Sequence, residues 1–134
     1  MILDTHVWLW LNEGSSELKK KIISLIDEAA QTDGIYISAI SVWEVAMLAS
    51  KKRIILRTSI EDWIKKALAQ PGVELIPLLP EIAIESAHLP EDPHGDSADR
   101  MIMATARIKQ LTLLTRDANI LAYSKKGYLK AIQS

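Results

Sequence analysis

The chain has 134 residues, 49% of them apolar and 25% charged, which fits one compact domain over residues 1–134 and is too short for two. It has no cysteine, which excludes a disulfide framework, a thiolate metal site and a thiol nucleophile, and suits a cytoplasmic protein. No apolar run approaches the roughly 18 residues of a membrane span, the N-terminus lacks the marks of a signal peptide, and the net charge of −1 is unlike that of a general polyanion binder, so any action on nucleic acid needs local attraction or a bound cation.

Ile2–Leu3–Asp4 reads as the end of a short strand, and Thr5 to Leu11 as an apolar helix that breaks at Asn12–Glu13–Gly14–Ser15–Ser16. Leu18, Ile22, Leu25, Ile26 and Ala29 recur at helical spacing, with lysines and acids on the other faces. Gly34 opens a second strand, Ile35–Ser38, and Ile40 to Lys52 is helical. Ser59 caps the next helix with Asp62 at capping-box spacing, and Pro71–Gly72 stops it. Val73–Pro77 is a third strand, and Pro80 suits the first turn of a helix running to about His88. Leu89 to Gly95 is a loop, and Asp96 opens a helix to about Lys109. Leu111–Thr115 is a fourth strand, Asp117 to Lys125 a last helix, and Gly127–Tyr128–Leu129 a short final strand. There is no internal repeat. Strands alternating with helices predict an α/β fold: a central parallel sheet in a three-layer α/β/α sandwich. Ligands of such sheets bind beyond the carboxyl ends of the strands.

That rule directs attention to the acids. Asp4 ends the first strand and Asp117 follows the fourth. Each is either a helix N-cap or a group in a shared crevice. Glu44 has Ile40, Ser41, Met47 and Leu48 as helical neighbours. A carboxylate in so apolar a stripe is normally paired or bound to a metal, unless it bends out to solvent. Asp96 and Asp99 share a face at a helix start. Asp96 can be the N-cap and Asp99 a first-turn acid favoured by the helix dipole, but Asp99 directly precedes the stripe Met101–Ala106 and can point inward. Arg100 can pair with Asp96 or meet a phosphate. Carboxylates without Cys or paired His suit hard cations, Mg²⁺ or Mn²⁺. Such an ion activates water against a phosphodiester. His6, His88 and His94 show no ligand spacing and read as structural or exposed. No P-loop, GxGxxG or GxSxG signature is present.

In order, Ile2–His6, Ser38–Ala46, Asp96–Ala106 and Leu113–Asp117 resemble a PIN domain. They are most similar to the VapC-type toxin ribonucleases of type II toxin–antitoxin pairs. The match covers nearly the whole chain; no single motif is specific, and the weight lies in four standing in register. The resemblance implies a flavodoxin-like sandwich and Mg²⁺- or Mn²⁺-dependent endoribonuclease activity. It implies an acidic quartet of Asp4, Glu44, Asp99 and Asp117, an additional acid at Asp96, and hydroxyl residues Thr5 and Thr115 lining the site. It implies RNA as substrate, a homodimer, and an inhibiting antitoxin protein whose tail lies across the toxin. One departure stands out: Leu48 occupies a place where many relatives carry lysine, and Lys51–Leu56 lacks the usual glycine.

Two other readings remain. A catalytically silent PIN-like module would bind RNA or protein only. A phosphatase using Asp4 as nucleophile would need a second nearby aspartate or a lysine, and Asp4–Thr5–His6 supplies neither. The basic groups Lys51–Lys52–Arg53 with Arg57, Lys65–Lys66 and Lys125–Lys126 are either RNA contacts or solvated helix faces. Of Trp8 and Trp10, one is expected in the core and the other at a partner surface. Trp43 and Trp63 are expected in the core.

Overall fold

Short, β-branched and leucine-rich runs become strands when both faces of a sheet are covered. In the computed structural model, which describes residues 1–134, the strands are β1 (Ile2–Leu3), β2 (Ile35–Ser38), β3 (Val73–Ile76), β4 (Leu113–Thr115) and β5 (Ala131–Gln133). The helices are α1 (Thr5–Glu13), α2 (Lys20–Gln31), α3 (Ala39–Ser50), α4 (Ile60–Leu68), α5 (Pro80–Ala87), α6 (Ser97–Lys109) and α7 (Ala118–Ser124). All strand pairs are parallel, in the order β3-β2-β1-β4-β5. The chain builds outward from β1 through β2 to β3, then crosses back to lay β4 on the other side of β1. Ile2 therefore pairs with Tyr36 on one side and Leu113 on the other. β1 and β4 flank the switch point, where a crevice opens past the strand ends.

Alternation along each strand divides the core into two halves. Ile2 and Leu113 face Ile82, Ile102, Met103, Ile120 and Tyr123, from α5, α6 and α7. Leu3 and Leu114 face the opposite way, into Val7, Trp8, Ile26, Val45 and Trp63, from α1 to α4. Trp8 and Trp63 meet edge to face, with ring centres 5.1 Å apart. The sandwich expected from the alternation is thus formed, with helices on both faces.

Two expectations are corrected. The final strand is Ala131–Gln133, not Gly127–Leu129. The Gly127 N–H still bonds back to Ser124 in the exit turn of α7, Tyr128 leans on Tyr123, and Leu129 drops into the core. Only then does the chain reach β4, with Ala131 beside Leu113. Trp43, expected in the core, is 54% exposed. Ser41 and Val45 take the inward positions of α3, and residue 43 projects from the far side between them. Trp63 is buried as expected, and of the N-terminal pair Trp8 is buried while Trp10 is half-covered.

The turn into β3 needs a glycine. Gly72 has φ +79°, and a Cβ there would lie 2.3 Å from the Ala30 carbonyl oxygen. Gly127 also has positive φ, but open space surrounds it. Gly127→Ala should therefore lose only the left-handed penalty, about 1–2 kcal/mol. Gly72→Ala should lose clearly more, because backbone must also move. Urea unfolding of the two variants checks the order; equal losses would mean that the Gly72–Ala30 approach is not a tight one.

Candidate active site

Asp4 leaves β1 at the switch point and begins α1. Its Oδ1 accepts from the Thr5 N–H at 2.8 Å and its Oδ2 from the Thr115 hydroxyl at 2.6 Å. The same Thr115 oxygen accepts from the Asp117 N–H at 3.0 Å. Thr115, fully buried at the end of β4, thus joins both strand-end aspartates. Asp117 caps α7, its Oδ1 accepting from the Asn119 and Ile120 N–H groups. Asp4 and Asp117 are N-caps and also line one crevice, so the two readings of these residues are compatible.

Glu44 reaches the same crevice from α3. Its Oε1 accepts from the Thr5 hydroxyl at 2.5 Å, and Thr5 Oγ1 lies 2.8 Å from Ser41 Oγ. A hydroxyl has one proton; with it given to Glu44, Thr5 accepts from Ser41. Glu44 is half-buried and held, neither bent out to solvent nor paired with an arginine.

Asp96 caps α6 by accepting from the Asp99 N–H at 2.8 Å. Asp99, one turn inside, is half-buried and its carboxylate accepts no hydrogen bond from the protein. Gly95 lies against it, where a Cβ would come within 3.4 Å of Asp99 Cβ. Arg100 turns away from both acids. It bonds the Ser86 and Pro93 carbonyls and pairs with Asp92 at 2.8 Å, so it braces the loop before α6 and does not pair with Asp96.

The electrostatics follow from this crowding. Burial pushes the Asp99 carboxyl up to about 7, and Asp96, Asp4, Asp117 and Glu44 add to the shift. Burial also raises Asp4, against the hydrogen bonds from Thr115 and Thr5. Glu44 is raised by burial, with the Thr5 bond opposing and Asp4 and Asp96 adding. The His6 imidazole, exposed on the first turn of α1, opposes both the Asp4 and the Glu44 shifts. No three acidic or imidazole groups are already drawn together as a metal cage. The donor chemistry nevertheless fits a hard cation: oxygen ligands only, half-buried, mutually repelling and without a lysine or arginine among them. Mg²⁺ uses few direct carboxylates and keeps waters in its remaining positions, so a preformed cage is not required.

The structure therefore brings Asp4, Glu44, Asp96, Asp99 and Asp117 to one crevice, with Thr5 and Thr115 between them. Sequence reasoning missed two members. Ser41 is fully buried and hydrogen-bonds Thr5; its place one turn before Glu44 was the available signal. His6 was read as structural or exposed; it is exposed, but its imidazole acts on the site, and its position two residues after Asp4 pointed there.

The PIN domain family model matches residues 1–126. The chain belongs to the PIN domain family. It is 32% identical over 120 residues to Ribonuclease VapC22 of Mycobacterium tuberculosis, covering 90% of this chain and 88% of that protein. Among solved structures, VapBC2 from Rickettsia felis bound to a promoter DNA fragment superposes with TM-score 0.72 at 14% identity, covering 98% of this chain and 96% of that one. FitAcB from Neisseria gonorrhoeae gives 0.66 at 20% identity, covering 98% and 95%. At these identities the structural likeness establishes the PIN fold.

The charge on this PIN domain makes its stability pH-dependent. The Asp99 pKa of about 7 in the fold, against 3.8 for the free group, means the folded state binds the proton more tightly. Stability without metal should then be greatest below about pH 4 as far as Asp99 is concerned, and fall as pH rises toward 7. In EDTA, the melting temperature should rise from pH 7 to pH 5, and Asp99→Asn should melt higher than wild type at pH 7 with a flatter profile. Calorimetry at several pH values checks this; an unchanged slope in Asp99→Asn would place the strain elsewhere.

Proposed function

We propose that this PIN domain is a Mg²⁺- or Mn²⁺-dependent endoribonuclease that hydrolyses RNA phosphodiester bonds, and that it is the toxin of a type II toxin–antitoxin pair. The observation that carries the reading is the set of Asp4, Glu44, Asp99 and Asp117 at the switch point, unneutralised by any lysine or arginine. Relatedness to a protein named a ribonuclease supports it, as does likeness in fold to a chain of a toxin–antitoxin complex from Klebsiella pneumoniae (TM-score 0.58, 22% identity, covering 87% of this chain and 85% of that one).

Asp4, Glu44, Asp99 and Asp117 would hold the ion, with Asp96 adding charge beside Asp99. Such an ion, when bound, supplies Lewis-acid stabilisation of phosphate charge and a more acidic water. Thr115 orients Asp4, and Thr5 orients Glu44 while Ser41 steadies Thr5. Asp4 and Glu44 are thus set before any ligand arrives, which is how outer-shell groups raise affinity and rate. The same reading includes a homodimer and a cognate antitoxin protein as partners. The apolar groups left exposed, Trp43, Leu78 and Ile84, are compatible with partner surfaces. No helix is long and apolar enough to cross a membrane, and the reading places the protein in the cytoplasm.

Total cellular RNA incubated with the protein and Mn²⁺ or Mg²⁺ should be cut at discrete sites, and EDTA should stop it. Asp4→Asn and Asp99→Asn should each lower the rate by about 100-fold or more, as loss of a metal-site acid does. Cutting by Asp99→Asn at the wild-type rate would sink the assignment. A silent binding module would cut nothing and would bind Mn²⁺ no better than these variants in calorimetry.

Thr115→Val tests the supporting shell. It keeps the shape but removes the donor to Asp4, and should lower Mn²⁺ affinity by roughly 10- to 100-fold, the usual range for outer-shell groups. Titration calorimetry reads it directly; undiminished affinity would mean that Asp4 is held well enough by Thr5 alone.

A further inference from the structure

Four cations lie within seven residues after α3: Lys51, Lys52, Arg53 and Arg57. No acid occurs between Glu44 and Glu61, and none of the four takes part in an ion pair. The ion pairs of the protein use Arg100, Arg107, Arg116 and Lys126 instead. All four loop cations are exposed. The segment is nevertheless anchored. Ile54 and Leu56 pack against the core beneath α1 and α4, while Ile55 between them is turned out and 92% exposed.

The end of α3 has a specific form. The Arg53 N–H bonds to the Leu48 carbonyl at 2.9 Å and the Lys52 N–H to that of Ala49 at 3.1 Å. This is a Schellman ending, whose left-handed position is ordinarily glycine. Here Lys52 occupies it, with φ +54°. A side chain in that conformation is unfavourable, and nothing in the fold requires a lysine there. The residue that the backbone disfavours is one that adds charge to an already unpaired cluster. Gln110 ends α6 in the same way, with φ +55°, so what sets Lys52 apart is the charge it adds to cations that no acid of the protein pairs.

The geometry points to residues 51–57 as the footing for the single-stranded RNA backbone beside the cut site, with Ile55 in apolar contact with a base; this rests on the ribonuclease reading above. α3 itself links the two places, since Glu44 lies in the acidic crevice and Lys51 follows seven residues later, about 10 Å along the helix. The crevice repels phosphate, and the protein as a whole carries a net charge of −1, so substrate attraction must be local. Cations unpaired with protein acids supply it through counterion release. The anchoring by Ile54 and Leu56 means that little conformational freedom is lost on binding. Ile55, 92% exposed, offers a base an apolar surface from which water can be displaced.

The test separates binding from cutting. A fluorescein-labelled single-stranded RNA is titrated with the Asp99→Asn protein in EDTA, at salt concentrations from about 50 to about 200 mM, by anisotropy. Adding Lys51→Ala, Lys52→Gly or Arg53→Ala should each weaken binding severalfold, and the salt slope should fall by about 0.7 for each phosphate that is no longer neutralised. Lys52→Gly should also melt at the same or a higher temperature, because it relieves the left-handed lysine. Weaker binding in a more stable protein is an outcome that a structural role for Lys52 does not produce. Lys109→Ala with Lys130→Ala, exposed beside the starts of β4 and β5 and next to the opposite half of the core, should leave binding unchanged. Unaltered affinity and slope in the three loop variants would overturn the proposal, as would an equal loss in the Lys109 and Lys130 control. If wild-type protein cuts no RNA but the loop variants still lose binding, the nuclease reading fails and the footing stands. If it cuts RNA and the loop variants bind normally, the footing alone fails.

Discussion

Crowded and partly buried negative charge organises this protein. Asp4 is almost fully buried at the end of β1, and three other elements bring further carboxylates toward it. An isolated charge in that position is unfavourable unless something compensates it. The compensation is layered: a backbone N–H from Thr5, a hydroxyl from Thr115, and the imidazole of His6 two residues on. None of these neutralises the set. Asp99 has no donor at all, which is why its carboxyl is the most strongly perturbed of the group that the fold assembles. The remaining imbalance is of the kind a divalent ion removes.

The hydroxyls explain how so unfavourable a set stays ordered. The Thr115 hydroxyl donates a hydrogen bond to Asp4 and accepts one from the Asp117 N–H. Thr5 donates one to Glu44 and accepts one from Ser41. Each threonine therefore works as a one-way relay between an acid and a second element. Threonine suits this role because its methyl group packs in the core while its hydroxyl serves the crevice, and its branched Cβ restricts χ1. The half-core, half-site character of residues 5 and 115 is the local reason the sheet end is both buried and polar.

Much of this was legible in the sequence where periodicity and capping chemistry agree. The parallel sheet followed from strands alternating with helices, and Asp4, Ser59, Asp96 and Asp117 were readable as helix starts because short polar side chains there satisfy free N–H groups. The acids of the crevice followed from the strand-end rule together with family resemblance. What escaped has a common cause: it depends on which neighbour comes from far along the chain. Trp43 reads as core by composition, yet α3 turns Ser41 and Val45 inward. Arg100 reads as a partner for Asp96 or for a phosphate, and Asp92 and two carbonyls hold it instead. Gly127–Leu129 looks more like a strand than Ala131–Gln133, and only the distance needed to come alongside β4 decides between them. Ser41 looks like an ordinary helix residue until Thr5 is placed beside it.

The hydrogen bond between Asp4 and Thr115 spans 111 positions of sequence. The crevice is therefore closed by the first strand and nearly the last. A chain still being made, or one cut short before residue 115, holds Asp4, Glu44 and Asp99 but has no β4 to set them against one another. Its acids are present and its site is not. Any chemistry of this site therefore waits on long-range assembly, because Asp4 gains its Thr115 donor only when β4 lies beside β1.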